Sequence, residues 1–158
     1  MKTVDIYTDG ACSGNPGRGG YGVVLLHGSR RKEISGGYSL TTNNRMELMA
    51  AIVALRALKQ KCKVRLHSDS QYLVNAMTKG WAESWRKNDW KRNRKENASN
   101  PDLWAELLDL AEKHDVEFVW VPAHSGILEN ERADRLSVLA AQEPDLPPDP
   151  GYNRVKVD

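Results

Sequence analysis

Residues 3–10, with the sequence TVDIYTDG, are the stretch from which the prediction of the fold starts. Val4, Ile6 and Thr8 alternate with Asp5 and Tyr7, a pattern typical of a β-strand with one buried face. Asp9 follows where this strand stops, in an Asp-Gly pair that is also an ordinary hairpin turn signal. Asp9 is therefore either a turn residue or a carboxylate placed at the end of a strand.

The rest of the chain predicts an α/β fold of alternating strands and helices. A glycine-rich loop is predicted over 10–22, before a second strand that begins near Val23, and a third strand is predicted over 32–40. Further strands are predicted over 63–68 and 116–121. Helices are predicted over 43–60 and 72–77, from Trp81, from Asn100, and over 129–142.

Three more carboxylates recur at the ends or starts of these elements, and each has a plain structural alternative. Glu47 leads an apolar helix face, but it could complete a capping box with Asn44. Asp69 follows the strand over 63–68, but it could be only an N-cap. Asp134 lies in the last predicted helix, where a solvated acid is common; Leu136, Leu139 and Ala140 are predicted to form that helix's apolar side.

The chain has 158 residues, enough for one domain with its own core. Two cysteines and an N-terminus without an apolar signal segment predict a soluble, cytoplasmic protein, and no apolar run is long enough for a bilayer. We expect a monomer. Residues 143–158 contain four of the seven prolines and predict an irregular or disordered tail.

Positive charge is concentrated in one segment, the basic lobe at residues 79–96. It carries seven basic and three acidic residues, although the whole chain has a net charge of only +2. Trp81, Trp85 and Trp90 lie within it. Tryptophans usually pack in cores, but flat rings among cations also suit sugars, bases and phosphates. The lobe therefore predicts a polyanionic partner.

If Asp9, Glu47, Asp69 and Asp134 converge, four carboxylates meet without a cysteine ligand. Oxygen ligands of this kind suit Mg²⁺ or Mn²⁺ rather than zinc. Their charges would repel one another unless cations neutralised them, and paired cations are used for in-line displacement at phosphorus. The pattern predicts metal-dependent chemistry on a phosphodiester.

Five motifs give the chain a resemblance to bacterial type I ribonuclease H from Val4 to about Ala141. They are Tyr7-Thr8-Asp9-Gly10, Gly14-Asn15-Pro16-Gly17, Thr42-Asn43-Asn44-Arg45-Met46-Glu47-Leu48, Asp69-Ser70-Gln71-Tyr72, and Glu129-Asn130-Glu131-Arg132 before Asp134. The resemblance implies a ribonuclease H-like fold, a five-stranded mixed sheet of order 3-2-1-4-5 with helices on both faces. It places the catalytic domain at residues 1–142.

The resemblance also implies the activity and the roles of the acids. Members hydrolyse the RNA strand of RNA/DNA hybrids, with little sequence specificity, and leave 3′-hydroxyl and 5′-phosphate ends. Asp9, Glu47, Asp69 and Asp134 would bind two metal ions, with Asp9 between them, one ion activating water and the other stabilising the leaving oxygen. His124 would assist proton transfer or product departure.

Substrate contacts are implied in the same way. The expected minor-groove residues, which read 2′-hydroxyls and base edges, are Cys12, Asn15, Asn43, Asn44 and Gln71. The expected contacts to the DNA strand are Trp81 and Trp85, with Thr42 and Asn100 at a DNA phosphate and Lys87 in the basic lobe.

The resemblance is weakest in the loop that carries His124. Many bacterial members have Lys-Gly before this histidine and a second histidine after it, where this chain has Pro122-Ala123 and Ile127-Leu128.

Two other hypotheses for the function are a nuclease of the same fold acting on DNA and a non-catalytic hybrid-binding module. The Asn43, Asn44 and Gln71 matches disfavour the first, and the presence of all four acids disfavours the second.

Overall fold

The computed structural model describes residues 1–152 and contains one five-stranded sheet. The strand order is β3-β2-β1-β4-β5, so the predicted order 3-2-1-4-5 is confirmed. β1 pairs antiparallel with β2 and parallel with β4, which makes it the centre of a mixed sheet. The strands are β1 (Lys2–Ser13), β2 (Gly17–His27), β3 (Arg30–Thr41), β4 (Cys62–Ser68) and β5 (Asp115–Trp120).

Five helices complete the described part of the chain, and two of their caps exclude alternatives left open by the sequence. The Thr42 hydroxyl accepts from the Arg45 N–H, so Asn44 is not the cap and Glu47 belongs to no capping box with it. Ser70, not Asp69, caps the next helix. The helices are α1 (Asn43–Arg56), α2 (Gln71–Thr78), α3 (Trp81–Lys87), α4 (Pro101–Glu112) and α5 (Leu128–Ala141).

The predicted glycine loop over 10–22 is wrong, because β1 continues to Ser13 and β2 already begins at Gly17. The glycines of β2 are instead positions of close packing. A Cβ on Gly20 would lie 2.2 Å from the Ser137 carbonyl oxygen, and one on Gly22 would lie 2.3 Å from that of Ala133. These strand glycines allow α5 to lie directly on the sheet.

The predicted apolar side of the last helix is also wrong in part. Leu139 is 42% exposed, whereas Asn130, Ala133 and Ser137 are buried together with Ala140. Small side chains face the sheet because the glycine surface of β2 leaves room for no larger ones. The helix therefore buries the face that also carries the half-buried Asp134.

Helices lie on both faces of the sheet. A Cβ on Gly19 would meet Thr41 and Met46 beside α1, whereas its neighbour Gly20 faces α5. Successive side chains of a strand point to opposite faces, so α1 and α5 pack on opposite sides. The main apolar core lies on the α1 side and includes the fully buried Trp104 of α4.

Residues 143–152 form no helix or strand, as predicted, but they pack against the body. The Ser39 N–H donates to the Pro147 carbonyl at 2.8 Å. The buried Asp149 accepts from Arg45 Nε and from Thr41 Oγ1, each at 2.7 Å. The rest of the predicted tail, residues 153–158, lies outside the described residues.

Asp149 is therefore held by a buried ion pair. Burial alone would raise the pKa of its carboxyl, but hydrogen bonds from Arg45 and Thr41 more than offset this and hold the pKa below its usual value. Arg45 is also paired with Asp102 at 2.7 Å. One arginine thus joins the tail, α1 and the start of α4.

We expect Asp149→Asn to lower the free energy of unfolding at neutral pH by about 3 kcal/mol, because it leaves Arg45 short of a buried partner. A depressed folded pKa contributes stability above the unfolded value and loses it as pH falls through the folded one. The difference from wild type should therefore be constant at neutral pH and shrink below about pH 4. Urea unfolding across this pH range measures it.

The control is Asp145→Asn, in the same segment but exposed. It should leave the free energy of unfolding almost unchanged. Equal effects of the two substitutions would show that the Asp149–Arg45 pair does not hold the tail.

Among residues 1–152 no helix is both long enough and apolar enough to cross a membrane.

Candidate active site

Asp9 and Asp69 are brought together by the pairing of β1 with β4. These strands are parallel, with Thr8 opposite Ser68, so the next residue of each chain segment emerges at the same edge of the sheet. The carboxyl ends of parallel strands are where open α/β sheets place their binding sites. Two of the four predicted acids thus meet at such an edge.

Glu47 reaches the same edge because α1 lies against β1 at a glycine. A Cβ on Gly10 would lie 2.5 Å from the Glu47 backbone nitrogen, which no other residue type could accommodate without a backbone shift. The Asp9-Gly10 pair lies inside β1 and is not a hairpin turn. Gly10 is what allows the helix to carry Glu47 next to Asp9.

Asp9, Glu47 and Asp69 form a compact acidic cluster. One carboxylate oxygen from each lies within 4.8 Å of the others, with Asp9 and Glu47 buried and Asp69 half-buried. The Gly10 N–H donates to Asp9 Oδ1 at 2.8 Å. Glu47 Oε1 is buried and has no hydrogen-bond partner among residues 1–152. The cluster therefore leaves a buried oxygen with nothing to neutralise it.

Burial and mutual repulsion disfavour the charged forms of these acids. Burial, and next the charge of Asp69, raise the pKa of Asp9 to about 8. The pKa of Glu47 is raised well above its usual value by burial and then by Asp9 and Asp69. The pKa of Asp69 is also raised, first by burial. A cation bound at this position would lower the pKa of all three acids.

Asp134 lies beside this cluster on α5. It is outside the group of three oxygens within 4.8 Å, yet it is near enough for its carboxyl group to contribute to the raised pKa of Asp9. It also repels Asp69. The structure therefore brings all four predicted acids into one site, with Asp134 more solvated than Asp9 and Glu47.

Asn130 is a site residue that the sequence analysis did not select. It is buried, and its polar side chain opposes the rise of the Asp69 pKa. Its Oδ1 has no hydrogen-bond partner within the described chain. Asn130 precedes Asp134 by one helical turn on the same face, and this spacing is the signal that could have identified it.

His124 lies in the exposed loop between β5 and α5. Its backbone has a φ of 52°, in the left-handed region, and Ser125 Oγ donates to the Pro122 carbonyl at 2.9 Å. Its side chain is exposed, and a positive charge on it would favour ionised Asp69. The loop thus positions a histidine near the cluster.

The predicted minor-groove residues lie at the end of β1, on the turn after it, and on the first turns of α1 and α2. Asn15 Oδ1 accepts from the Asn43 N–H at 3.1 Å, which ties the β1–β2 turn to α1. Cys12 Sγ is 3.5 Å from the Thr41 carbonyl oxygen. Asn44 and Gln71 are exposed. Their side chains are accessible to a ligand beside the acids.

Asn100 and Thr42, the two residues predicted to bind a DNA phosphate, are held by hydrogen bonds within the protein. Asn100 has a left-handed backbone, and its Oδ1 accepts from Arg45 Nη1 while its Nδ2 donates to the Tyr72 hydroxyl, each at 3.2 Å. Thr42 is fixed as the N-cap of α1. Asn100 is therefore held by Arg45, and Thr42 is held by the start of α1.

Two of the three lobe tryptophans line a groove of about 390 Å³ with Tyr72 and Arg92. Trp81 is 43% exposed, and the Lys79 ammonium lies 5.3 Å from its ring centre. Trp85 packs edge-on against Trp104, with ring centres 5.8 Å apart. Lys87 is exposed. The groove combines flat apolar surface with positive charge.

Comparison with known proteins agrees with this geometry. The family model described as RNase H matches residues 1–142. Ribonuclease H of Rippkaea orientalis is 61% identical over 99% of this chain and 96% of its own. The chain belongs to the RNase H family.

Solved RNase H structures share the fold. LC9-RNase H1, a type 1 RNase H with the type 2 active-site motif, is 34% identical with a TM-score of 0.80, over 89% of this chain and 72% of its own. LC11-RNase H1, solved in complex with RNA/DNA hybrid, is 27% identical with a TM-score of 0.68, over 87% and 96%. The acidic cluster thus lies on an RNase H scaffold.

The acidic site has the chemistry of a divalent-cation site. Its three closest donors are carboxylate oxygens, which suit hard cations, and one buried oxygen of Glu47 lacks any partner within the described residues. Burial, and next repulsion among the acids, raise the pKa values of Asp9 and Glu47, and a bound cation would favour their charged forms. The residues therefore fit the metal dependence of the RNase H family.

We expect wild-type protein in a chelator to lose stability relative to Asp9→Asn as pH rises from about 4 to 8, since the folded pKa of Asp9 is about 8. A raised folded pKa contributes stability below the unfolded pKa and loses it as pH rises through the folded one. Excess Mg²⁺ should restore most of the wild-type loss. Urea unfolding at several pH values, with chelator or with Mg²⁺, measures both effects.

Parallel stability curves for wild type and Asp9→Asn in chelator would contradict the repulsion inferred for this cluster.

Proposed function

We propose that this protein is a metal-dependent endonuclease that hydrolyses the RNA strand of RNA/DNA hybrids and leaves 3′-hydroxyl and 5′-phosphate ends. The observation that carries the proposal is the meeting of Asp9, Glu47 and Asp69 oxygens within 4.8 Å at one edge of the sheet. Membership of the RNase H family supports it, as does the RNA/DNA hybrid in the LC11-RNase H1 structure.

Asp9, Glu47, Asp69 and Asp134 would hold two ions, Mg²⁺ in the first place and Mn²⁺ as a substitute. When bound, such cations supply an activated water and charge stabilisation at phosphorus. The close packing of α1 and α5 on the sheet fixes the positions of Glu47 and Asp134 relative to Asp9. The buried Asn130, whose side chain opposes the rise of the Asp69 pKa, is proposed to orient that carboxylate.

His124 is proposed to move a proton at the solvent side of the acids or to help the product leave. Its loop is exposed, and a positive charge on His124 would favour ionised Asp69. This suits a group that acts as the substrate arrives or departs, rather than a metal ligand.

Selection of the RNA strand is proposed to depend on 2′-hydroxyls. Cys12, Asn15 and Asn43 lie beside one another and offer polar groups without a base-specific pattern, and Asn44 and Gln71 extend this surface. Contacts to 2′-hydroxyls distinguish RNA from DNA at a given site. We therefore propose selectivity for strand type with little selectivity for sequence.

The DNA strand is proposed to lie against the basic lobe and the starts of α1 and α4. Trp81 and Trp85 would pack on its sugars, Thr42 and Asn100 would bind one phosphate, and Lys87 would contact the backbone. We propose further that residues 1–142 are the catalytic domain and that the protein acts as a cytoplasmic monomer with no membrane contact.

We expect Asp9→Asn to reduce cleavage of an RNA/DNA hybrid by at least about 1,000-fold, because it removes the carboxylate at the centre of the site. Hybrid binding should remain close to that of wild type, since the basic lobe is unchanged. Single-turnover cleavage in Mg²⁺ and a filter-binding assay measure the two properties. Loss of both together would indicate a misfolded variant or a different role for Asp9.

Neutralising the basic lobe should act on binding alone. With Lys87, Lys91, Arg94 and Lys95 changed to alanine, we expect a higher KM and a flatter dependence of log KM on log salt, because fewer counterions are released. A control with the same loss of charge at Lys59, Lys61, Lys63 and Lys113 should retain the wild-type slope. An unchanged slope in the lobe variant would move the hybrid to another surface.

A further inference from the structure

The buried guanidinium group of Arg45 uses every hydrogen-bond donor that it has. An arginine side chain carries five N–H groups in one plane. Nε and Nη2 donate to the two carboxylate oxygens of Asp149, at 2.7 and 3.1 Å. Nη1 and Nη2 donate to Asp102, at 3.0 and 2.7 Å, and Nη1 also donates to Asn100 Oδ1 at 3.2 Å. The orientation of the guanidinium group is therefore fixed on all sides.

Arg45 contacts both residues that are proposed to bind a DNA phosphate. Its backbone N–H donates to the Thr42 hydroxyl at 3.2 Å, and its side chain donates to Asn100. Thr42 and Asn100 are each half-buried, so each keeps surface that a ligand can reach. A change in the orientation of Arg45 would therefore change the phosphate site.

The bond to Arg45 also decides which end of the Asn100 amide is available to a ligand. A guanidinium group can only donate, so the amide oxygen faces Arg45. The amide nitrogen faces Tyr72, whose hydroxyl oxygen accepts one of its two N–H groups at 3.2 Å. The second N–H is a donor for an anion. An amide released from Arg45 could instead turn its oxygen outward, and that oxygen would repel a phosphate.

Asp149 fixes Arg45 from outside the domain that the RNase H family model matches, which ends at residue 142. Two parallel hydrogen bonds between a carboxylate and a guanidinium group set both the position and the plane of that group. Asp149 Oδ2 also accepts from Thr41 Oγ1 at 2.7 Å, one residue before Thr42. The segment after the matched domain therefore holds the residues that support the phosphate site.

Gly151 shows how closely this segment covers the ion pairs. Its N–H donates to Asp149 Oδ1 at 3.2 Å. A Cβ at Gly151 would overlap Asp102 Oδ2 and Arg45 Nη2. Glycine thus lets the backbone lie directly against the guanidinium group, and a larger residue would push the segment away from Arg45.

We propose that Asp149 is a positioning residue for substrate binding, which fixes Arg45 and thereby presents the Asn100 amide and the Thr42 hydroxyl to one phosphate of the DNA strand. The inference rests on the proposed function, since it concerns the phosphate site of that reaction. It gives residues 143–152 a part in hybrid affinity besides their part in stability. Hydrolysis itself should be unaffected, because Asp149 acts through Arg45 and Thr41 and not through the acidic cluster.

Steady-state cleavage of an RNA/DNA hybrid in Mg²⁺ tests this, at a temperature at which each variant is folded. We expect Asp149→Asn to raise KM at least about fivefold and to leave kcat within about twofold of wild type, because a charge-assisted contact is lost from binding alone. Gly151→Ala, which changes no charge, should raise KM in the same way. Asp145→Asn should retain the wild-type KM.

Val64→Ala is the control for a loss of stability. Val64 is buried in β4, between Val4 and Val116 of the neighbouring strands, and its truncation leaves a cavity in the core. This variant should unfold more easily and still show the wild-type KM. The proposal is overturned if Val64→Ala raises KM as much as Asp149→Asn does, because KM would then follow stability alone.

A scan of the DNA strand with single methylphosphonates, which are neutral, tests the phosphate contact itself. Hybrid binding is measured in the Asp9→Asn background, which prevents cleavage. With Asp149 intact, we expect one position of the scan to weaken binding at least about fivefold. With Asp149→Asn added, the hybrid modified at that position should bind as well as the unmodified one, because the contact is already lost.

Undiminished sensitivity to that methylphosphonate in the Asp149→Asn protein would overturn the proposal. A protein with Asp149 intact that is insensitive at every position would overturn it as well. Failure of the wild type to cleave any hybrid would instead contradict the proposed nuclease function, so the two failures are distinguishable.

Discussion

Repulsion among buried carboxylates is the constraint around which this molecule is built. Asp9 and Glu47 are both buried, and neither has a cationic side chain to pair with inside the cluster. Unpaired buried charge is costly, so such a cluster persists only where the surrounding structure holds it in place. In an RNase H the compensating charge is a divalent cation. Binding of this ion relieves the repulsion among the acids, and this relief contributes to the free energy of binding.

The acids are held close together because the helices that carry them pack closely on the sheet at glycines. Gly10 lets α1 approach β1 at Glu47, while Gly20 and Gly22 let α5 settle on β2 with its small residues inward. Both helices are thereby fixed on the central strands, one on each face. The acids of β1, α1 and α5 cannot relax apart without separating helix from sheet.

The resemblance to ribonuclease H predicted the order of the strands, and the sequence singled out the four acids that the fold brings together, because the motifs concerned are local and ordered along the chain. It left Glu47 and Asp69 open between capping and catalysis, since a cap and a ligand have the same residue types at the same positions. The observed caps, Thr42 and Ser70, exclude the capping alternative by bonds that depend on backbone geometry. Local patterns could not separate those alternatives.

Features that depend on contact between distant segments were missed. The glycines of β2 indicated a loop, because the helix that they contact lies more than a hundred residues away. Arg45 gave no signal that it would be buried between Asp102 and Asp149. The tail composition predicted irregular structure correctly but could not show its attachment. Asn130 was overlooked for the same reason, since its partner Asp69 is on another element.

We propose that the acidic cluster cuts RNA only when RNA is paired with DNA. The most direct measurement incubates the protein and Mg²⁺ with an end-labelled RNA/DNA hybrid, and with duplex RNA and duplex DNA of the same sequence. We expect cleavage of the RNA strand of the hybrid, with 5′-phosphate ends, and no cleavage of either duplex. Equal cleavage of all three substrates, or none of the hybrid, would contradict it.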